Sequence, residues 1–192
     1  RLGGIDPYSA SKAAADLAIQ SYIQSFFNVQ WFNKKHTTLL AIARACNVIG
    51  GGDWSKDRLI PDLIRAIYNT KEKIILRNPD AIRPWQHVFE PLYGYLLLAQ
   101  RLYAGDTQFV GAWNFGPDNR DAVSVESVVK HATDFLGKGE YDVIRDDLNY
   151  ESNVLKLDNS KARSLLYWSP KLSFIDRIQQ TFSWYREYYE HP

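Results

Sequence analysis

A tyrosine and a lysine near the start of the chain have the types and the spacing for acid–base chemistry. Tyr8 and Lys12 lie in the segment 6–12 (DPYSASK), and a helix would place the phenol and the ammonium on one face. A nearby ammonium favours the phenolate, which makes tyrosine a usable base near neutral pH. Asp6 suits the N-cap of such a helix, and Pro7 suits its first position. The alternative is an ordinary amphipathic helix, because short motifs often match by accident.

The composition is typical of a globular protein, with 192 residues that are 45% hydrophobic and 23% charged. A net charge of +1 provides no bulk attraction to nucleic acid or anionic membranes. Cys46 is the only cysteine, so we expect a structural thiol, no internal disulfide and a reducing cytoplasm. The chain contains no methionine and begins with Arg1, so we expect it to be an interior piece of a longer protein.

Apolar spacing predicts helices that alternate with strands. Helices are expected at 7–28, after Pro61, and at 91–103, 125–136, 160–166 and 174–188. Strands are expected at 38–44, 73–77, 112–116 and 141–144, and the apolar run 38–44 suits a parallel strand covered on both faces. The alternation indicates an α/β fold. The glycines at 50–52 lack both the Walker and the G-x-G-x-x-G patterns, so they indicate a sharp turn or a close approach to a ligand.

Several motifs follow Tyr8 and Lys12 in a fixed order. They are 44–50 (RACNVIG), 58–61 (RLIP), 82–88 (IRPWQHV) and 113–116 (WNFG). This order resembles the extended short-chain dehydrogenase/reductase family, whose members act on nucleotide sugars. Within that family, the segments 50–58 (GGGDWSKDR), 77–79 (RNP) and 96–100 (LLLAQ) resemble the branch that dehydrates CDP-glucose. The resemblance covers nearly the whole chain, and it favours a functional Tyr8–Lys12 pair over an accidental spacing.

The resemblance implies the C-terminal part of a Rossmann-type parallel-sheet domain plus a smaller mixed α/β substrate-binding domain. Residues 1–49, with a contribution from about 87–116, would belong to the NAD-binding domain, and 50–192 mainly to the nucleotide-sugar domain. The family's glycine-rich turn for the NAD pyrophosphate and its acid/base residues for elimination have no match in these residues. We therefore expect a C-terminal portion that is inactive alone, from a full-length homodimer or homotetramer.

The implied reaction is the NAD-dependent dehydration of CDP-D-glucose to CDP-4-keto-6-deoxy-D-glucose. In the family, the tyrosine takes a proton from the sugar 4-hydroxyl while a hydride passes from C4 to NAD. Water then leaves across C5–C6, and the hydride returns to C6. Carried over, Tyr8 is the base, and Lys12 stabilises the phenolate and hydrogen-bonds the nicotinamide ribose. Tyr8, Lys12 and Arg44 are the expected cofactor contacts.

The substrate carries a diphosphate, which needs arginine, lysine and amide donors. By motif match, the expected substrate contacts are Asn47, Arg58, Leu59, Ile60, Arg83, Asn114 and Glu151. For Arg58 and Arg83 the alternative is a surface ion pair. His87 is expected to be a packed histidine with one satisfied nitrogen rather than an acid, and the scattered histidines predict no metal site.

Two other functions remain compatible with these residues. One is a different nucleotide-sugar epimerase or decarboxylase on the same scaffold. The other is a non-catalytic module for nucleotide-sugar binding or oligomerisation. The residues before Tyr8 would distinguish a dehydratase from the epimerase or decarboxylase, because an elimination enzyme needs an acid/base pair there. Calorimetry with NAD and CDP-glucose would separate the non-catalytic module.

Overall fold

A computed structural model of the chain describes residues 3, 6–70, 72–118, 121–144 and 157–191. The helices are α1 (Pro7–Ser25), α2 (Leu59–Ile64), α3 (Phe89–Tyr103), α4 (Val125–Leu136), α5 (Ser160–Leu166) and α6 (Phe174–Glu190). The strands are β1 (Ala41–Ala45), β2 (Val48–Ile49), β3 (Ile74–Leu76), β4 (Ile82–Arg83), β5 (Gln86–His87), β6 (Gly111–Phe115), β7 (Val123–Ser124) and β8 (Tyr141–Val143). A π-helical turn, Arg65–Thr70, continues α2.

Most of the strand pairs are parallel, which confirms the expected α/β class. Strand β1 pairs with β6 so that Arg44 lies opposite Asn114. Parallel pairs also join β2 to β5 and β3 to β8, whereas β4 and β7 are antiparallel. The strand predicted at 38–44 lies at Ala41–Ala45 because its register is set by β6, which begins at Gly111. Helix α1 ends at Ser25, earlier than predicted, and Asn28 then caps a short 3-10 turn.

The buried apolar residues form two clusters. The first packs α3, β6 and α5 together through Leu98, Phe109, Trp113, Phe115, Ala162, Leu166 and Trp168. The second packs α2, β3, α4 and α6 through residues that include Leu63, Leu76, Val128, Ile178 and Phe182. Helix α6 therefore belongs to the second cluster, and α3 belongs to the first.

A buried ion-pair network, the Glu90–Arg177–Asp121 network, joins these two clusters. Arg177 of α6 is fully buried, and its Nε lies 3.2 Å from Oε2 of Glu90 on α3. Arg177 Nη2 lies 3.2 Å from Asp121 Oδ2, and its Nη1 donates to the Trp85 carbonyl oxygen at 3.2 Å. The backbone carbonyl of Glu90 accepts from Trp168 Nε1 at 3.1 Å. One guanidinium thus contacts α3, the 121 loop and the segment that carries β5.

Helix α1 begins as the sequence predicts. Asp6 is the N-cap, and its carboxylate accepts from Ser9 N at 2.9 Å and from Ser9 Oγ at 2.6 Å. These bonds favour the carboxylate and lower the pKa of Asp6. The apolar side chains of the outer face, among them Leu17, Tyr22 and Phe26, are more than half exposed. No helix in the described ranges has the length and hydropathy needed to cross a membrane.

Candidate active site

Tyr8 and Lys12 lie together on the first turns of α1. The Lys12 Nζ is 5.6 Å from the centroid of the Tyr8 ring, and Tyr8 is 65% exposed. Ser11 Oγ donates to the Tyr8 carbonyl at 2.7 Å, which adds support to the turn that carries both side chains. The expected shared helix face is confirmed. A phenol and an ammonium on an accessible face can take part in proton transfer with a bound ligand.

An ion pair fixes α1 against the sheet. Arg44 Nη2 on β1 lies 2.6 Å from Oδ2 of Asp16, a residue that is only 8% exposed. The helix from Asp16 back to Tyr8 covers about 12 Å at 1.5 Å per residue. Tyr8 therefore lies about two helical turns before the residue that pairs α1 with β1. Strand β1 ends at Ala45, one residue after Arg44, and Asn47 follows it before β2.

The motif segments 44–50 and 82–88 lie side by side at that end. Gln86 N donates to the Asn47 carbonyl at 2.9 Å, and Val88 N donates to the Ile49 carbonyl at 2.8 Å. The fully buried Gln86 side chain donates through Nε2 to the Phe115 carbonyl at 3.0 Å, at the end of β6. Segments that are distant in sequence thus meet where the parallel strands β1 and β6 end.

Asn114 and Arg83 are both held by backbone carbonyls. The Asn114 Nδ2 donates to the Asp158 carbonyl at 3.1 Å, whereas its Oδ1 is buried and has no hydrogen-bond partner within the described part of the chain. Arg83 is 7% exposed, and its Nη1 donates to the Ile82 carbonyl at 2.9 Å. The orphaned Asn114 oxygen is an acceptor that a ligand could satisfy.

Arg58, Leu59 and Ile60 have different surroundings although they are adjacent. Arg58 is exposed, and no ion pair of Arg58 is found among the described residues. Leu59 is half-buried, and Ile60 is 4% exposed within the second core cluster. A ligand could therefore reach the guanidinium of Arg58, whereas Ile60 could contribute only backbone atoms.

The remaining sequence-based expectations have clear outcomes. His87 is 4% exposed, and its Nδ1 accepts from Phe89 N at 3.4 Å, so it is a packed histidine with one nitrogen satisfied. Burial lowers the pKa of His87. Burial also raises the pKa of the Cys46 thiol to about 12, which is consistent with a structural cysteine. Glu151 lies outside the described residues, and its role stays a prediction.

The segment from Gly50 to Arg58, loop 50–58, is held by residues that the sequence motifs did not indicate. The Tyr185 hydroxyl of α6 accepts from Asp53 N at 3.1 Å and donates to the Asp53 carbonyl at 2.8 Å. Arg65 donates to the carbonyls of Trp54 and Ser55, each at 3.1 Å. The sequence offered no signal for these contacts, because the two ends of the Tyr185 bonds are 132 residues apart.

The expected approach of the glycines to a ligand stays a prediction, and the structure brings Gly51 close to α6. A Cβ on Gly51 would lie 2.1 Å from Cγ of Trp184 and 2.6 Å from its Cβ, so a larger residue cannot fit without movement. Gly52 adopts φ +81°, which favours glycine. A neighbouring open cleft of about 920 Å³ is lined by Gly51, by residues 87–89 and by residues of α6 that include Trp184. None of the expected site residues lines this cleft.

Comparison with known proteins identifies the family. The model of the NAD dependent epimerase/dehydratase family matches residues 2–116. The chain belongs to this family. It is 44% identical over 187 residues to the CDP-glucose 4,6-dehydratase of Salmonella typhimurium. This alignment covers 96% of this chain and 51% of that protein. It is 24% identical to the dTDP-glucose 4,6-dehydratase of Streptomyces niveus, over 94% of this chain and 49% of that protein. The chain spans about half the length of these curated relatives.

Solved structures of the family share the fold. A dTDP-glucose 4,6-dehydratase from Bacillus anthracis in complex with NAD superposes with a TM-score of 0.75 at 22% identity, over 99% of this chain and 55% of that chain. A UDP-glucuronic acid 4-epimerase from Bacillus cereus in complex with UDP-glucuronic acid and NAD gives 0.76 at 17% identity, over 97% and 55%. The resemblance indicated by the motifs is thereby confirmed at the level of family and fold.

Proposed function

We propose that this chain supplies the Tyr–Lys pair and the diphosphate-binding residues of an NAD-dependent CDP-glucose 4,6-dehydratase. The observation that carries this proposal is the 44% identity to the Salmonella enzyme over 96% of the chain. The geometry supports it, because Tyr8 is exposed on a helix that is ion-paired to β1, and the segments of Asn47 and Gln86 meet just after β1 ends. The product would be CDP-4-keto-6-deoxy-D-glucose.

Tyr8 acts as the base in this proposal. Its phenol removes the proton of the sugar 4-hydroxyl, and Lys12, 5.6 Å from the ring centroid, stabilises the phenolate electrostatically. NAD, when bound, accepts the hydride from C4 and returns it to C6. The exposed Tyr8–Lys12 face suits the nicotinamide ribose, whereas no G-x-G-x-x-G segment for the pyrophosphate occurs among the 192 residues. Arg44 is a further proposed cofactor neighbour, although its guanidinium is paired with Asp16.

The substrate diphosphate is bound by cationic and amide donors. Arg58 and Arg83 supply guanidinium groups that can donate two parallel hydrogen bonds to phosphate oxygens. Asn47 follows β1 and could supply an amide donor, and Asn114 offers its unpaired Oδ1 to a donor of the nucleotide. Leu59 and the backbone of Ile60 flank the base, and Glu151 is proposed near the ribose.

The proposal also includes the organisation of the chain. Residues 1–49, with about 87–116, form part of the NAD-binding domain, and 50–192 form mainly the substrate domain. The exposed apolar side chains of α1, such as Leu17 and Phe26, support a second copy as the partner of this helix in a homodimer or homotetramer. The reducing cytoplasm expected from the single cysteine is the proposed location.

The test is turnover of CDP-glucose with NAD by the full-length protein, followed by mass spectrometry for the loss of one water. Tyr8→Phe should reduce the rate by about 10²- to 10⁴-fold, the usual contribution of a general base. Tyr22→Phe, which removes an exposed hydroxyl of the same helix, should not. A product of unchanged mass would indicate an epimerase, and binding without turnover would indicate a non-catalytic module. Normal dehydration by Tyr8→Phe would refute the assignment of the base.

A further inference from the structure

Loop 50–58 is fixed by a small number of polar contacts from other elements. It contains no helix or strand, yet it runs between β2 and α2. Four of its backbone polar atoms have side-chain partners outside the loop: Asp53 N and O bind the Tyr185 hydroxyl, and the Trp54 and Ser55 carbonyls bind Arg65. The path of this loop therefore depends on α6 and on the helical turn after α2.

Of the two attachments, the one made by Tyr185 restrains the loop more strongly. The residue is fully buried, and its single hydroxyl both donates to and accepts from the same residue of the loop. Arg65 is partly exposed, with 29% of its side chain accessible, and it also pairs with Asp62. A buried hydroxyl that satisfies a peptide N–H and a carbonyl together fixes the position of that peptide more tightly than a surface contact.

The loop ends at Arg58, whose backbone is extended (φ −122°, ψ 135°) and precedes the first turn of α2. The Arg58 carbonyl accepts from Asp62 N at 2.9 Å, so the residue forms the joint between the loop and the helix. The position of the Arg58 guanidinium therefore depends on the backbone path of loop 50–58. A shift of the Asp53 peptide would therefore be passed along a short stretch of chain to Arg58.

We propose that Tyr185 is a positioning residue for the ligand, which holds loop 50–58 so that Arg58 meets the diphosphate of the nucleotide sugar. This inference rests on the proposed function, because it takes the diphosphate contact of Arg58 from there. Tyr185 does not touch the ligand. It acts through the Asp53 peptide, with Arg65 as a second attachment of the same loop.

The experiment measures binding of CDP and of cytidine to the full-length protein by calorimetry. Cytidine lacks the diphosphate, so it reports the base and ribose contacts without Arg58. Tyr185→Phe removes only the hydroxyl, and it should weaken CDP binding by roughly three- to tenfold, as expected for lost hydrogen bonds. Cytidine binding should change by less than about twofold, because the loop attachment acts through the phosphate contact. Tyr188→Phe, at an exposed position of the same helix, is the matched control and should change neither.

A double-mutant cycle tests whether Tyr185 affects CDP binding through Arg58. In Arg58→Ala, which itself weakens CDP binding, the further change Tyr185→Phe should have no additional effect. Arg65→Met, which frees the Trp54 and Ser55 carbonyls, should repeat the selective loss for CDP. This second variant serves if thermal unfolding shows that Tyr185→Phe does not fold.

The outcomes separate this inference from the proposed function. Absence of saturable CDP binding by the unmodified full-length protein, or unchanged CDP binding by Arg58→Ala, would refute the proposed diphosphate site and the positioning role with it. A loss in Arg58→Ala with unchanged CDP binding in the folded Tyr185→Phe chain, or in Arg65→Met if that chain is used, would refute the positioning role alone. Equal losses for CDP and cytidine would show a general structural effect and would also overturn it.

Discussion

Replacing Arg177 tests whether the Glu90–Arg177–Asp121 network holds the two core clusters together. Arg177→Met keeps much of the side-chain volume but removes the charge. The side chains of Arg177 and Glu90 are 0% and 5% exposed, so the Glu90 carboxylate would lose its buried cation. Breaking a buried pair by removing one partner costs about 3–5 kcal/mol, and the unpaired Trp85 carbonyl adds about 1 kcal/mol. Since domains are stable by about 5–15 kcal/mol, this is a large fraction of the total.

The assay is urea unfolding followed by circular dichroism, with the free energy of unfolding compared between variants. The matched control is Arg186→Met on the same helix, where the exposed guanidinium lies 4.8 Å from the Phe135 ring centroid. Loss of this cation–π contact should cost about 0.5–1 kcal/mol. A loss of less than about 1 kcal/mol for Arg177→Met would refute the reasoning, because it would mean that the buried carboxylate does not need the guanidinium.

A double variant identifies the source of the loss. Glu90 Oε1 accepts from Lys171 N at 2.8 Å and from Leu172 N at 3.0 Å, and the oxygen of Glu90→Gln can keep both bonds. Glu90→Gln combined with Arg177→Met removes the buried charge on both sides. The double variant should therefore be more stable than the sum of the single changes predicts, by about 1–3 kcal/mol of coupling. Simple additivity would show that packing, rather than the charge, explains the loss.

Three further predictions concern the residues around the loop and the sheet end. Gly51→Ala should lower stability by about 1–3 kcal/mol because its Cβ would overlap Trp184, and Trp184→Ala in the same chain should relieve much of that loss in urea unfolding. Since burial raises the pKa of the Cys46 thiol from 9.0 to about 12, alkylation at pH 8 should be at least about a hundredfold slower in the folded chain than in urea. Equal rates would contradict this. Burial lowers the pKa of His87 below 6.5, so the unfolded chain binds the proton more readily: stability is fully present above pH 6.5 and decreases as the pH falls toward the folded-state pKa. His87→Gln should reduce the change in thermal unfolding temperature between pH 7.5 and pH 5. An equally steep change with pH in this variant would contradict the role given to His87.

Local features of the fold could be predicted because they depend on neighbouring residues. Asp6 and Pro7 predicted the start of α1, where the Asp6 carboxylate accepts from Ser9 N at 2.9 Å. The limits predicted for β1 were a few residues off, because they depend on its pairing with β6, about 70 residues later in the chain. Parallel pairing requires such a long crossover. The apolar pattern along the sequence predicts that a strand exists, whereas the distant strand that pairs with it sets where it begins and ends.

The candidate site was predictable only as a set of residue types in a fixed order. The motif order indicated Asn47, Arg58 and Arg83, and the structure brings the segments of Asn47 and Arg83 together through the β2–β5 pair. It could not indicate that Ile60 is a core residue, since an apolar residue before a proline suits either a pocket wall or the interior. Nor could it indicate Tyr185, because the run WYREYY at 184–189 has no spacing that relates it to Asp53.

Two of the residues that hold the motif segments lie on α6, beyond the part of the chain that the family model matches, residues 2–116. Tyr185 fixes loop 50–58, and Arg177 fixes the Trp85 carbonyl beside Arg83. Apolar side chains could join α6 to the same surfaces at equal or better stability, since buried ion pairs seldom exceed a hydrophobic replacement in free energy. They could not bind a particular peptide group, because dispersion and apolar burial have no direction. Polar groups of α6 at these two points therefore indicate a need for defined loop positions rather than for added stability. The two arginines proposed to bind the ligand, Arg58 and Arg83, lie within five residues of the backbone groups that α6 holds.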